Sequence, residues 1–163
     1  QSPGRIHDRH GPPRRRLKEN DLLTLLIAID GSRYSDRAVE YVVGRAAATR
    51  DSVRVHLVNA QLPLAGVNVK LFISKESQDA HYREEGMAVL AGPRQRLAAA
   101  GIEHDYHIGV GDPGTVLAEY ARSKHCDEIV MGTQGRGFLA GAVLGSVARK
   151  VVQLASMPVV LVK

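Results

Sequence analysis

The stretch from Asp127 to Ser156 limits the fold more than any other part of the chain. Ile129, Val130 and Met131 form a short apolar run of the kind that becomes a strand buried on both faces of a parallel sheet. Glycines follow at 132, 135, 137, 141 and 145. Ser146 then opens a segment with Ala148, Val151, Val152 and Ala155 on one helical face and Arg149, Lys150 and Gln153 on the other. Strand, glycine-rich loop and helix start are a recurring way to hold a phosphate. Glycine lets backbone N–H groups approach an anion, and a helix N-terminus adds unpaired donors and the positive end of its dipole. Ser146 reads as the N-cap of this helix, and Arg149 stands where a capping-box carboxylate would neutralise the helix start. Arg136 adds positive charge beside the glycines. On these features alone, a phosphate cradle and a plain connector both stay open.

Two common nucleotide motifs do not account for the loop. No Gly-Lys-Ser/Thr occurs, so there is no Walker pattern. Gly135 to Ala140 matches a lax dinucleotide fingerprint, but it lies too near the C-terminus for the further strand and ribose-binding acid which that motif requires. A longer match is more specific. Gly132, two residues, Gly135, nine residues, then Gly145-Ser146 resembles the ATP-binding signature of the universal stress protein family. The resemblance extends to Asp30-Gly31-Ser32 with Ser35 and Ala38, to Gly111-Asp112-Pro113, and to the terminal Pro158-Val-Val-Leu-Val run. It covers residues 22–163, leaving out the N-terminal arm.

The rest of the chain reads as strands and helices in alternation. Leu22 to Ile29 is a near-continuous aliphatic run ending at Asp30-Gly31-Ser32, as a central parallel strand does at its carboxyl end. Ser35 reads as the cap of a helix carrying Ala38, Val39, Val42, Val43, Ala46 and Ala47 on one side. A second strand runs from Val53 to Asn59, with Val53, Val55 and Leu57 on one face. Gln61 to Ser77 is irregular and reads as a surface loop or lid. Ser77 to Ala100 has helical periodicity, which Gly92-Pro93 should kink or split, with Gly101 as the C-terminal stop. Ile102 to Val110 is a polar third strand suited to a sheet edge. Asp112 caps the next helix with Pro113 at its first position, and Val116, Leu117, Tyr120 and Ala121 form its buried stripe. The Asp127 strand, the glycine loop and the last helix follow, and Met157 to Val162 is a fifth strand.

This alternation makes an α/β three-layer sandwich on a five-stranded parallel sheet. The resemblance adds the strand order 3-2-1-4-5, a Rossmann-like fold of the adenine nucleotide alpha hydrolase type. Ligands in such sheets lie at the carboxyl ends of strands where the order reverses, here between strands one and four. Asp30 and the Gly132 loop end those two strands. Asp30 there serves either as acceptor for ribose hydroxyls or outer ligand to a phosphate-bound Mg²⁺, or as an Asx-turn for the helix that follows. The resemblance implies further that the Val58 backbone reads the adenine edge, with Ala28 and Met131 against the base. Met131 is equally readable as plain core. Gly132, Gly135, Gly145, Ser146 and Val147 would then surround ribose and phosphates through backbone N–H groups and the Ser146 hydroxyl, with Arg136 beside them.

Charge and composition narrow the function classes. The formal charge is +5, but six of the 22 Lys and Arg (Arg5, Arg9, Arg14, Arg15, Arg16 and Lys18) fall in the first nineteen residues, against Asp8 and Glu19. Removing those leaves 16 basic and 15 acidic residues, so the folded part has no excess that would mark a nucleic-acid surface. Residues 1–20 read as a disordered basic arm or an expression remnant, and 21–163 as one domain. The first residue is Gln, consistent with a lost initiator Met, a lost leader or such a remnant. Cys126 is the only cysteine, which suits a reducing cytoplasm. No run reaches membrane-spanning length and no secretory signal is visible.

The seven histidines lack metal spacing, and no pair of carboxylates or Ser/His/Asp set stands out as catalytic. The expectation is an ATP-binding, nucleotide-responsive stress regulator, with Mg²⁺ carried on the ATP and hydrolysis slow or absent. It pairs as a homodimer through strand 157–162. The alternatives are an ATP-dependent ligase or nucleotidyl transferase on the same fold, or a dimer with an empty pocket.

Overall fold

A computed structural model of the chain describes residues 22–64, 73–137 and 143–163. The arm at 1–20, the central part of the expected lid and the middle of the glycine loop lie outside the described residues. The strands are β1 (Leu23–Ala28), β2 (Val53–Gln61), β3 (Glu103–Val110), β4 (Glu128–Gly132) and β5 (Val159–Val162). The helices are α1 (Arg33–Ala48), α2 (Lys75–Ala99), α3 (Pro113–Ser123) and α4 (Ser146–Leu154). All pairings are parallel and the sheet order is β3-β2-β1-β4-β5, as expected.

The aliphatic strands explain the layering. Successive side chains of a strand point to opposite faces, so an uninterrupted apolar run supplies both layers at once. Leu25 and Ile27 of β1 pack with Val55 and Leu57 against Ala38, Val39 and Val42 of α1 and Leu90 and Leu97 of α2. Leu26, between them, joins Val58, Ile129 and Met131 beneath Leu117 and Ala121 of α3 and Ala148 and Val151 of α4. Arg45 and Glu128 close the rim as a two-bond ion pair (2.5 and 2.9 Å), which holds the Glu128 carboxyl below its usual range.

Several boundaries differ from those read in the sequence. The cap of α1 is Ser32, whose hydroxyl accepts the Ser35 N–H, while the Ser35 hydroxyl donates to the Ser32 carbonyl at 2.9 Å. Gly31 sets this start, because its φ of 79° turns the chain so that Ser32 is extended and Arg33 is helical. Helix α2 begins after Ser74 and is not split at Gly92-Pro93; Leu90, Pro93 and Leu97 are buried together, and that packing outweighs one lost backbone bond. Strand β2 runs two residues further than expected, carrying Ala60 and Gln61 up beside the carboxyl end of β1.

Candidate functional site

Helix α4 starts one residue earlier than its capping chemistry suggests. Gly145 is the N-cap, its own N–H is taken by the Thr133 carbonyl at 2.7 Å, and no side chain caps the helix. Ser146 is therefore the first helical residue and not the cap. The amides of Ser146, Val147 and Ala148 are those a helix leaves without intrahelical acceptors. The fit at Gly145 is tight: a Cβ there would stand 3.3 Å from the Thr133 carbonyl oxygen and from the Gln134 Cα. Gly145 thus lies against the end of β4, and the helix start lines a cavity shared with β1.

Asp30 fastens the same loop from the other side. One carboxylate oxygen accepts the Ser32 N–H at 2.9 Å, the Asx-turn bond, and the other accepts the Arg136 N–H at 3.2 Å. A Cβ on Gly135 would come within 2.6 Å of that second oxygen, so glycine there is needed for the acid to reach the loop. At Gly132 a Cβ would meet Tyr34 at 2.5 Å, where α1 crosses the end of β4. Asn59 ties the neighbouring strand end, donating from its side-chain amide to the Ile29 carbonyl at 2.8 Å while buried itself.

Between these elements lies a cavity of about 190 Å³. An apolar cavity of about 150 Å³ accepts a benzene ring, so there is room for an aromatic base. All ten residues singled out in the sequence reach its wall. Ala28, Val58 and Met131 make an apolar side. Asp30, Gly132, Gly135 and Arg136 come from the ends of β1 and β4, and Gly145, Ser146 and Val147 from the helix start. Met131 is 5% exposed and belongs to the core cluster as well as to the cavity wall.

The sequence reading missed other parts of the wall. Ala60 follows Val58 by two and so shares its strand face, a signal period-two alternation carries. Pro113 and Leu117 are one helical turn apart on α3. Ser35 and Gln134 enter through the turn geometry at Gly31 and Gly145, which no local pattern announces.

The outer layer of the site is stapled by charge. Asp112 caps α3 through the Thr115 N–H and meets the Lys150 ammonium of α4 at 2.9 Å. The Lys150 and Thr115 hydrogen bonds lower its carboxyl to about 2. Below the apolar wall, His56 is buried with its Nδ1 4.0 Å from the Asp105 carboxylate and in no hydrogen bond among the described residues; it lies edge-on to Tyr120, on which His107 stacks at 4.5 Å. Burial lowers the pKa of both imidazoles. Burial likewise pushes the Cys126 thiol up to about 11, a quiet thiol and not a nucleophile. Among the described residues no group of three or more His, Cys, Asp or Glu side chains could hold a metal ion. Asp30 alone cannot cage Mg²⁺, which ordinarily arrives on substrate phosphates with most of its waters.

Comparison with known proteins bears on this arrangement. The sequence model of the universal stress protein family matches residues 23–163. A Thermus aquaticus universal stress protein, of the QAH/OAS sulfhydrylase 3'region, is 31% identical over 145 residues, covering 86% of this chain and 98% of that protein. Among solved structures, a universal stress protein in complex with cAMP superposes with a TM-score of 0.61 at 27% identity, covering 86% of this chain and 95% of the other. The Archaeoglobus fulgidus universal stress protein in complex with dAMP gives a TM-score of 0.61 at 23% identity, covering 86% and 98%.

Proposed function

The chain belongs to the universal stress protein family, and from that premise we propose that it binds ATP in the cavity between β1 and β4 and acts as a nucleotide-responsive regulator in the cytoplasm. The observation that carries the reading is the division of one cavity into an apolar side and a side of glycine backbone and helix-start amides. The base lies between Ala28, Val58 and Met131. The phosphates meet the amides of Gly135, Ser146 and Val147 and the Ser146 hydroxyl. Gly145 contributes shape rather than a donor, since Thr133 takes its N–H. The nucleotide brings its own Mg²⁺, with Asp30 as an outer partner. Relatives of known structure hold cAMP and dAMP, which supports an adenine nucleotide without choosing the number of phosphates.

Hydrolysis is slow in this reading. The one carboxylate among the described wall residues is Asp30, and both its oxygens already accept N–H groups. An amide cradle that holds bound ATP and its transition state equally well lowers the dissociation constant without raising turnover. Turnover should therefore stay far below the roughly 10 per second typical of enzymes. Denaturing the purified protein and weighing what it releases tests the assignment. An adenine nucleotide at near-stoichiometric yield supports it. A protein that releases none and shows no calorimetric heat with ATP refutes it.

The same reading includes a homodimer through β5. This edge strand is aliphatic, its own Leu161 is exposed, and so are Val152 and Leu154 of α4. An uncharged edge with free N–H and C=O groups tends to pair, and antiparallel pairing about a two-fold axis is self-complementary. Sedimentation of wild type against Val160→Lys checks it: a wild-type monomer at micromolar concentration, or a variant that stays dimeric, removes the dimer from the account.

A further inference from the structure

Two charged side chains stand on the cavity wall among the described residues, Asp30 and Arg136, and they are in different states. Asp30 is engaged, since each carboxylate oxygen accepts a backbone N–H. The Arg136 guanidinium has no hydrogen-bond or ion-pair partner among the described residues, whereas Arg45, Arg54 and Arg96 each hold a carboxylate. A guanidinium offers five N–H donors in a fixed fork and stays charged at every ordinary pH. On a cavity wall, donors of that kind await an anionic ligand.

This side chain is anchored at its backbone and reaches the turn after β1. Its backbone N–H is fixed to Asp30. Its tip lies over Gly31, where a Cβ would stand 2.6 Å from Arg136 Nη2 and 2.9 Å from Val89 Cγ1. Gly31 has a φ of 79°, so the turn after β1 requires glycine, and the missing side chain leaves the arginine its place. Arg136 thus crosses from the loop after β4 to the turn after β1, over the switch point of the sheet.

We propose that Arg136 is the residue through which the site reads phosphate number, so that affinity rises from adenosine through AMP and ADP to ATP. This rests on the adenine-nucleotide reading above. The apolar wall contributes equally for all four ligands, because they share one base. The Coulombic attraction of a cation on the cavity wall grows with each charge the ligand adds, and charge-assisted bonds to phosphate are about twice as strong as neutral ones. Arg136 is exposed, so salt screens its contribution.

The experiment is calorimetric titration of wild type, Arg136→Gln and Arg136→Lys with adenosine, AMP, ADP and ATP, in EDTA so that no metal masks the phosphate charge. In Arg136→Gln, ATP should weaken by about tenfold, ADP and AMP by progressively less, and adenosine by less than about twofold. Arg136→Lys should keep the order with smaller steps, because it retains the charge and loses the fork. Raising salt to about 0.5 M should compress the wild-type series. Equal losses for all four ligands would make Arg136 a structural residue and overturn the inference, as would unchanged ATP affinity in Arg136→Gln. If the wild type bound none of the four, the nucleotide reading itself would fall, an outcome distinct from either.

Discussion

The two ends of the sheet offer a ligand very different surroundings, and size is not what separates them. At the amino ends of β1 and β2 lies a depression of about 540 Å³, larger than the cavity of about 190 Å³ at the carboxyl ends. Its wall includes Val43, Ala46 and Ala47 of α1, Ala100 and Gly101 past the end of α2, and the acids Asp51 and Glu103. Helices α1 and α2 present their carbonyl ends here, the negative ends of their dipoles, and no basic side chain stands among the described wall residues. The carboxyl end has the opposite polarity, with first-turn amides, a glycine loop and Arg136. The polarity of the roomier end disfavours an anion and that of the tighter end favours one.

Paired glycine substitutions test this contrast most strongly. Gly135→Val drives a side chain into the Asp30 carboxylate and should weaken ATP by more than about 2 kcal/mol, roughly thirtyfold. Gly101→Val, at the other end, meets no atom within 4 Å but forces a residue with φ of 67° into a left-handed conformation. It should cost about 1 kcal/mol of stability, read from the urea midpoint, and leave ATP affinity unchanged. The reverse pattern would place the ligand at the amino end.

A smaller effect is expected at Ser146. Because Gly145 is the cap, Ser146→Ala should change stability by less than about 0.5 kcal/mol. ATP should weaken by about 1 kcal/mol, one hydrogen bond, while adenosine is untouched. Equal weakening of both ligands in calorimetry would place the hydroxyl away from the phosphates.

The smallest effect belongs to the middle of the sheet, between the two ends. His56 and His107 are held neutral by burial, with Asp105, Lys124 and Arg54 as the charges around His56 and Lys124 beside His107. A histidine whose folded pKa is lowered binds fewer protons than the unfolded chain below the ordinary value of 6.5. Stability is therefore complete above that pH and declines as pH falls through 6.5 toward the folded pKa values. Urea midpoints between pH 7.5 and 5.5 should fall, and His56→Gln should flatten part of the slope. A flat wild-type profile would contradict the assignment.

What the sequence announces is mostly local or periodic. Leu25 to Ile27 and Ile129 to Met131 declare strands buried on both faces, and Asp112-Pro113 declares a helix start by side-chain chemistry alone. The glycine spacing declares the loop. What it leaves out depends on contacts between distant residues. Ser32 rather than Ser35, and Gly145 rather than Ser146, begin their helices because of the Gly31 turn and the Gly145 bond to Thr133. Pro93 stays inside α2 because its burial beside Leu90 and Leu97 exceeds the local penalty. The engagement of Asp30 by Arg136 spans 106 residues, and no local pattern carries it.

The central claim is that the carboxyl end of the sheet binds the nucleotide and the amino end does not. Backbone amide spectra of the labelled protein, recorded through a titration with ATP, test it residue by residue. The account predicts saturable shifts at Gly132, Gly135, Ser146 and Val147, with Ser52 and Gly101 unmoved. Shifts centred on Ser52 and Gly101, or a spectrum that ATP leaves unchanged, would contradict it.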